Sequence, residues 1–231
     1  MPLTDYRVLV DERLRDTADI LDAAALGSAI QEAVKIYARH RPRRRVQQIT
    51  GDGAAFTYDL AADFEEPLSR IEAIEHPVDE QDPQIVDEND YALYRDPTTG
   101  KLRLRFLELV IPSAAKAYVG YTTRHTVNDA GQDTVPVADR EAVANLAAAI
   151  LALELAAHYA QTSSSTLGAD AVDYRSKSGE YRALADRYEA RYRRHLGLPD
   201  DGPLAASAVA DLDLDLSEGL GPRLFHGARF R

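Results

Sequence analysis

The chain has 231 residues, 45% of them hydrophobic and 28% charged, with a net charge of −11. That is enough apolar material for a core in one large or two small domains, and too much for a disordered chain. The acidic balance argues against a dedicated nucleic-acid binder with a global basic field, and the absence of cysteine excludes disulfides, zinc–thiolate centres and thiol nucleophiles.

The opening MPLTDYRVLVDERL has no basic stretch followed by an apolar one, so no secretory signal is read there and a soluble, cytoplasmically made protein is expected. Thr4 and Asp5 can cap a short helix to about Asp16, with Tyr6, Leu9, Val10 and Leu14 on one face. A second helix is predicted from about Asp22 to Arg39 by the helical recurrence of Leu26, Ile30, Ala33, Val34 and Tyr37, and Pro42 stops it.

The period then changes from 3.6 to 2. Strands are predicted at Val46–Thr50, Ala55–Leu60, Leu68–His76, Tyr91–Arg95, Lys101–Leu107 and Lys116–His125. Gly51-Asp52-Gly53 and Asp96-Pro97-Thr98-Thr99-Gly100 are turn signals between them.

Helical spacing returns after Pro136, with Asp139 as the expected cap of a helix over Arg140–Gln161. This helix is alanine-rich and apolar nearly all round, so it belongs at the centre of a bundle. Its apolar run, about Ala142–Ala157, falls short of the ~20 residues of a membrane span and carries Asn145 and Glu154, so no membrane association is expected. A last helix is predicted from about Val172 to His195, ending at Leu196-Gly197 with Arg193, Arg194 and His195 near the negative end of its dipole. Beyond it, Asp200–Glu218 carries only acidic charges, and Gly219–Arg231 is basic and aromatic. The second stretch reads as an arm that orders on a partner.

The expected fold is therefore α+β, mainly α. Residues 1–43 and 131–197 supply the N- and C-terminal helices of one bundle, 44–130 form an inserted small antiparallel β unit, and 198–231 form an extended C-terminal arm.

Three groups invite a chemical reading. The run Arg39, His40, Arg41, Arg43, Arg44, Arg45 is either a set of DNA phosphate contacts, with Arg43, Arg44 and Arg45 foremost, or a solvated helix end. On the last helix, Tyr174, Arg175, Tyr181, Arg182, Tyr188 and Arg191 read as a subunit-facing or channel-facing surface, or as a Tyr-rich core stripe with a basic flank. The carboxylates Glu65/Glu66 and Asp87/Glu88/Asp90 sit in polar, loop-like stretches poorly suited to acid–base work, and the six histidines are scattered without metal-ligand spacing. No GxGxxG or Walker motif is present, so neither catalysis nor a cofactor or metal is expected.

The run Pro136-x-x-Asp139-Arg140-Glu141-Ala142-Val143, the alanine-rich helix after it, Ser165-Thr166-Leu167-Gly168-Ala169-Asp170 and Val172-Asp173-Tyr174-Arg175-Ser176-Lys177-Ser178-x-Glu180-Tyr181 together resemble head–tail connector (adaptor, or neck) proteins of tailed bacteriophages, prophages and gene transfer agents. Ala29-Ile30-x-x-Ala33-Val34-x-x-Tyr37-x-x-x-Arg41-Pro42-Arg43, followed by Val46-x-x-Ile49-Thr50-Gly51-Asp52-Gly53, fits the same family, so the resemblance spans about residues 5–197. It implies a helical bundle with an inserted β unit, and a non-enzymatic virion protein made in a bacterial host and located in the neck. Its copies would form a ring, typically dodecameric, under the portal protein. The ring would extend the channel for double-stranded DNA without reading sequence, and would carry the next neck or stopper protein. The resemblance gives portal docking to a C-terminal arm, here Arg223, Leu224, Phe225, His226, Arg229, Phe230 and Arg231. The long acidic spacer before that arm departs from the family pattern. The competing reading is a nucleic-acid-binding module that uses the Arg39–Arg45 cluster.

Overall fold

A computed structural model describes residues 1–14, 20–81, 84–162 and 174–199. The fold is α+β and mainly α. Its helices are α1 (Leu3–Leu14), α2 (Ala23–His40), α3 (Arg140–Thr162) and α4 (Tyr174–Leu196). Between α2 and α3 lie β1 (Arg43–Thr50), β2 (Thr57–Asp59), β3 (Ile71–Glu75), β4 (Tyr91–Arg95), β5 (Leu102–Phe106) and β6 (Lys116–Thr123).

The helices pack through the faces that their spacing predicts. Leu3, Tyr6, Val10 and Leu14 of α1 and Ala29, Ile30, Ala33, Val34 and Tyr37 of α2 are buried against α3 in one core. Asp22 caps α2, its side chain accepting a hydrogen bond from Ala25 N at 2.6 Å. α3 contacts each of the other three helices. Its first half, Ala142 to Ala149, is buried almost all round, because α1, α2 and α4 surround it. The second half is one-sided: Leu151, Ala152, Leu155, Ala156 and Tyr159 are buried while Leu153, Glu154, Ala157 and His158 are exposed. The all-round apolar reading thus holds for only part of the helix. With the residues just before it, α3 is long and apolar enough by composition to cross a membrane, but two-thirds (67%) of its most apolar 18-residue window is buried inside the chain, as a bundle's core helix is.

Asp139 does not cap α3. A short 3-10 turn, Val137–Asp139, precedes the helix, and the Asp139 carboxylate points instead into the junction described below. β1 also begins three residues earlier than its alternation suggests, so Arg43, Arg44 and Arg45 belong to a strand rather than to the end of a helix. The strand predicted over Ala55–Leu60 shortens to Thr57–Asp59.

The β unit is two three-stranded antiparallel sheets, β1-β6-β3 and β2-β5-β4. β6 is the centre of the first, with Arg43 opposite Thr123 and Thr50 opposite Lys116. Ile49, Ile74, Ala117 and Val119 from this sheet share one core with Leu104 and Phe106 from the other. The β4–β5 turn is the one its sequence signals: Asp96 accepts from Thr98 N at 2.8 Å and Thr99 N at 3.0 Å, and Gly100 takes a φ of +67°.

Gly51, at the end of β1, is required by close approach rather than by its dihedral. A methyl group there would lie 2.4 Å from the carbonyl oxygens of both Ile111 and Pro112. Gly51→Ala is therefore expected to destabilise the chain by about 2 kcal/mol, the typical cost of overpacking, with backbone rather than a side chain having to move. Urea unfolding checks this; a loss below about 0.5 kcal/mol, the scale of an indifferent surface change, would show that the 111–112 segment yields freely.

Candidate functional site

The ends of three helices meet at Asp139. This residue is 4% exposed, and its carboxylate accepts hydrogen bonds from Tyr37 Oη at 2.5 Å and from Arg41 Nη1 at 3.1 and 3.2 Å. It also lies 2.8 Å from His195 Nε2. Burial alone would raise its pKa; the hydrogen bonds from Tyr37, His195 and Arg41 outweigh that and hold it below the ordinary carboxylate value. Asp139 therefore ties together the last turn of α2, the start of α3 and the last turn of α4, three elements far apart in sequence.

Two further histidines complete the junction. His40 Nδ1 lies 2.6 Å from Tyr192 Oη, and burial, with Arg193 and Arg39 nearby, lowers its pKa. A neutral His40 accepts a hydrogen bond from the Tyr192 hydroxyl, which burial causes to hold its proton more firmly. His125 lies between Thr134 O (2.8 Å) and Arg41 O (3.1 Å), anchoring the segment after β6 to the end of α2. Burial lowers its pKa as well.

The arginine run disperses over this junction. Arg39 and His40 end α2, and Arg41 goes to Asp139. Arg44 Nε pairs with Glu72 at 2.9 Å, where the β3 register slips between Ile71 and Ala73. Arg45 pairs with Asp63 at 2.7 Å, and Asp63 also accepts from Tyr121 Oη at 2.7 Å. Arg43 is half-buried and makes no ion pair among the described residues. Most of the cluster's charge is thus matched locally. These exposed pairs add little stability, but they weaken the contiguous phosphate-binding surface that the bare sequence suggests.

On α4 the tyrosines and arginines separate. Tyr188 and Tyr192 lie in the bundle core, and Tyr188 Oη donates to Arg13 O at 3.0 Å. Arg191 sits 5.5 Å over the Tyr188 ring. Tyr181 is half-buried and stacks on Tyr159 with ring centroids 5.4 Å apart, while Lys177 Nζ lies 5.2 Å over the Tyr159 ring. Arg182, Arg187, Arg191 and Arg194 are exposed. Tyr188 is consumed by folding, which leaves the arginine flank and the rim of the Tyr159–Tyr181 stack as surface. Tyr174 and Arg175 start α4, but their side chains lie outside the described residues, as do Ser165–Asp170 and the arm residues Arg223, Leu224, Phe225, His226, Arg229, Phe230 and Arg231.

The acidic pairs have structural partners. Glu65 lies 3.4 Å from Arg124 and Glu66 3.5 Å from Arg95, while Asp87 caps a 3-10 turn through Asn89 N at 2.8 Å. Among the described residues, no group of three or more His, Asp or Glu side chains is placed to hold a metal ion. Two basic side chains that spacing did not connect, Arg70 and Arg124, converge with Lys35 and Arg39 on a cleft between α2 and the β unit. Nothing local in the sequence marks that convergence, because it depends on how the two layers dock.

The described part is thus a helical bundle whose helix ends are tied by a buried carboxylate, carrying a two-sheet β unit that His125 anchors to the end of α2. Among solved structures, the chain is similar to one from the neck of an empty GTA particle computed with C6 symmetry, at 18% identity over 79% of this chain and 88% of that one, with a TM-score of 0.29. It is similar also to one from the neck of a native GTA particle computed with C12 symmetry, at 18% identity over 79% and 89%, with a TM-score of 0.26. No protein-family model and no curated protein matches the chain.

Proposed function

We propose that the chain is a non-enzymatic structural protein of a virion neck: a head–tail adaptor that forms a ring under the portal of a tailed phage or gene transfer agent. The observation that carries this reading is the element order. Two helices, an inserted β unit and two long helices follow one another as the sequence resemblance over residues 5–197 implies, and they close into one bundle around α3. The exposed arginine flank of α4 and the rim of the Tyr159–Tyr181 stack suit a contact between copies, since Tyr and Arg favour interfaces. An acidic ring lets DNA slide where a basic one would hold it, which fits the net charge of −11. The arm Gly219–Arg231 supplies the portal contact, and the ring offers a platform for the stopper protein.

Mixing the protein with the portal protein of the same genome tests this directly. A ring capping the portal is expected in negative stain and by mass, and is expected to be lost from a truncation ending at Pro199. Full-length protein that stays monomeric and never joins the portal would refute the adaptor reading.

A further inference from the structure

The cleft between α2 and the β unit has a volume of about 710 Å³ and collects Lys35, Arg39, Arg70 and Arg124 around Pro67 and Leu68. Only Arg124 has a carboxylate partner among the described residues, Glu65 at 3.4 Å. Lys35, Arg39 and Arg70 are exposed and make no ion pair there. With Glu65, which pairs with Arg124, as the carboxylate of the lining, Lys35, Arg39 and Arg70 remain as cations that repel each other, in a chain whose net charge is −11. An anionic occupant would relieve that repulsion.

The chain carries a matching anion. Residues 200–218 hold Asp200, Asp201, Asp211, Asp213, Asp215 and Glu218, with no Lys or Arg. Alternating Leu212, Leu214 and Leu216 give the same stretch apolar side chains to set beside Pro67 and Leu68. The attachment point is also right. α4 ends against the last turn of α2, through Tyr192 to His40 and through His195 and Asp139 to Arg41. Leu198 N then donates to Arg193 O at 2.9 Å, and Pro199 O accepts from the Arg193 guanidinium. The chain therefore leaves the bundle at the end where Ala38, Arg39 and Pro42 line the cleft. Extended at roughly 3.3 Å per residue, the segment could reach up to about 60 Å from Pro199.

We propose that the acidic segment 200–218 binds in cis in the Lys35/Arg39/Arg70/Arg124 cleft of its own chain, so that the cleft takes an extended acidic peptide. The inference stands apart from the neck reading.

Zero-length carbodiimide coupling of the full-length protein tests the proposal, because Lys35 is the lysine of the cleft. An equal mixture of isotope-labelled and unlabelled chains separates links within a chain from links between chains. Lys35 is expected to couple to carboxylates of residues 200–218 within one chain. The yield is expected to fall about tenfold in the Arg39→Glu/Arg70→Glu double variant and at high salt, where exposed charges are screened. Coupling of Lys35 to Glu32 or Glu65 alone, or mainly between labelled and unlabelled chains, overturns the proposal. A second arm uses full-length protein with the six acidic residues changed to Asn or Gln and a 20-bp duplex as a polyanion probe. The neutralised variant is expected to bind the duplex at least about tenfold more tightly than the parent, in a salt-dependent manner. Equal binding by both, lost on Arg39→Glu/Arg70→Glu, would make the cleft a nucleic-acid site and overturn the proposal.

Discussion

Replacing Leu151 with alanine is expected to destabilise the chain by about 3 kcal/mol, within the range for truncating a buried leucine. For a chain of this size that corresponds to a loss of roughly 6–12 °C in Tm. Leu151 is fully buried in α3, the helix that touches all three others. Its buried neighbours along the helix, Ala147, Ala148 and Ala152, are too small to swing into the space, so a cavity remains. Leu153→Ala, two residues away and 49% exposed, is expected to change stability by no more than about 0.5 kcal/mol. Thermal and urea unfolding of the two variants decide the matter; equal losses would show that α3 is not the packing axis.

The second large effect belongs to Asp139. Asp139→Ala removes a buried carboxylate and leaves the Tyr37 hydroxyl and the Arg41 guanidinium without it, at an expected cost of about 3 kcal/mol, the low end for breaking a buried pair because Arg41 is partly solvated. Asp139→Asn keeps the shape and isolates the charge. Because the folded carboxyl has a lowered pKa, the unfolded chain binds more protons than the native one at acidic pH. The stabilisation is complete above the ordinary carboxylate value of about 4 and is lost as pH falls through the lowered folded value. Between about pH 5 and pH 2 the parent is therefore expected to lose more stability than Asp139→Asn, and the two curves converge at the acid end. Parallel curves across that window in urea titrations would remove Asp139 from its role in acid stability.

The elements themselves were legible to within a few residues. β4 spans Tyr91–Arg95 and α3 begins at Arg140, where the sequence periods place them, because an amphipathic segment must bury one face whatever its partner. The errors arise where a residue type serves two local purposes. Asp139 stands where a helix cap is ordinary, yet its carboxylate is drawn into the junction by Tyr37, Arg41 and His195, partners from 102, 98 and 56 residues away. Arg43, Arg44 and Arg45 read as DNA phosphate contacts or a solvated helix end until Thr123, Thr122 and Tyr121 are seen to pair with them across the sheet. Tyr188 reads equally as core or surface, and the packing of α4 on α3, with Arg13 O of α1 accepting from its hydroxyl, assigns it to the interior.

What the sequence determined by itself was therefore the set of elements, the mainly helical α+β class and the faces that had to be hidden, since these follow from spacing along one chain. What only the tertiary structure decided was the strand order β1-β6-β3 and β2-β5-β4, the carboxylate junction and the cationic cleft. Each depends on residues far apart in the chain that approach only when strands pair, helix ends pack or the two layers dock, and such approaches leave no period in the sequence from which they could be read.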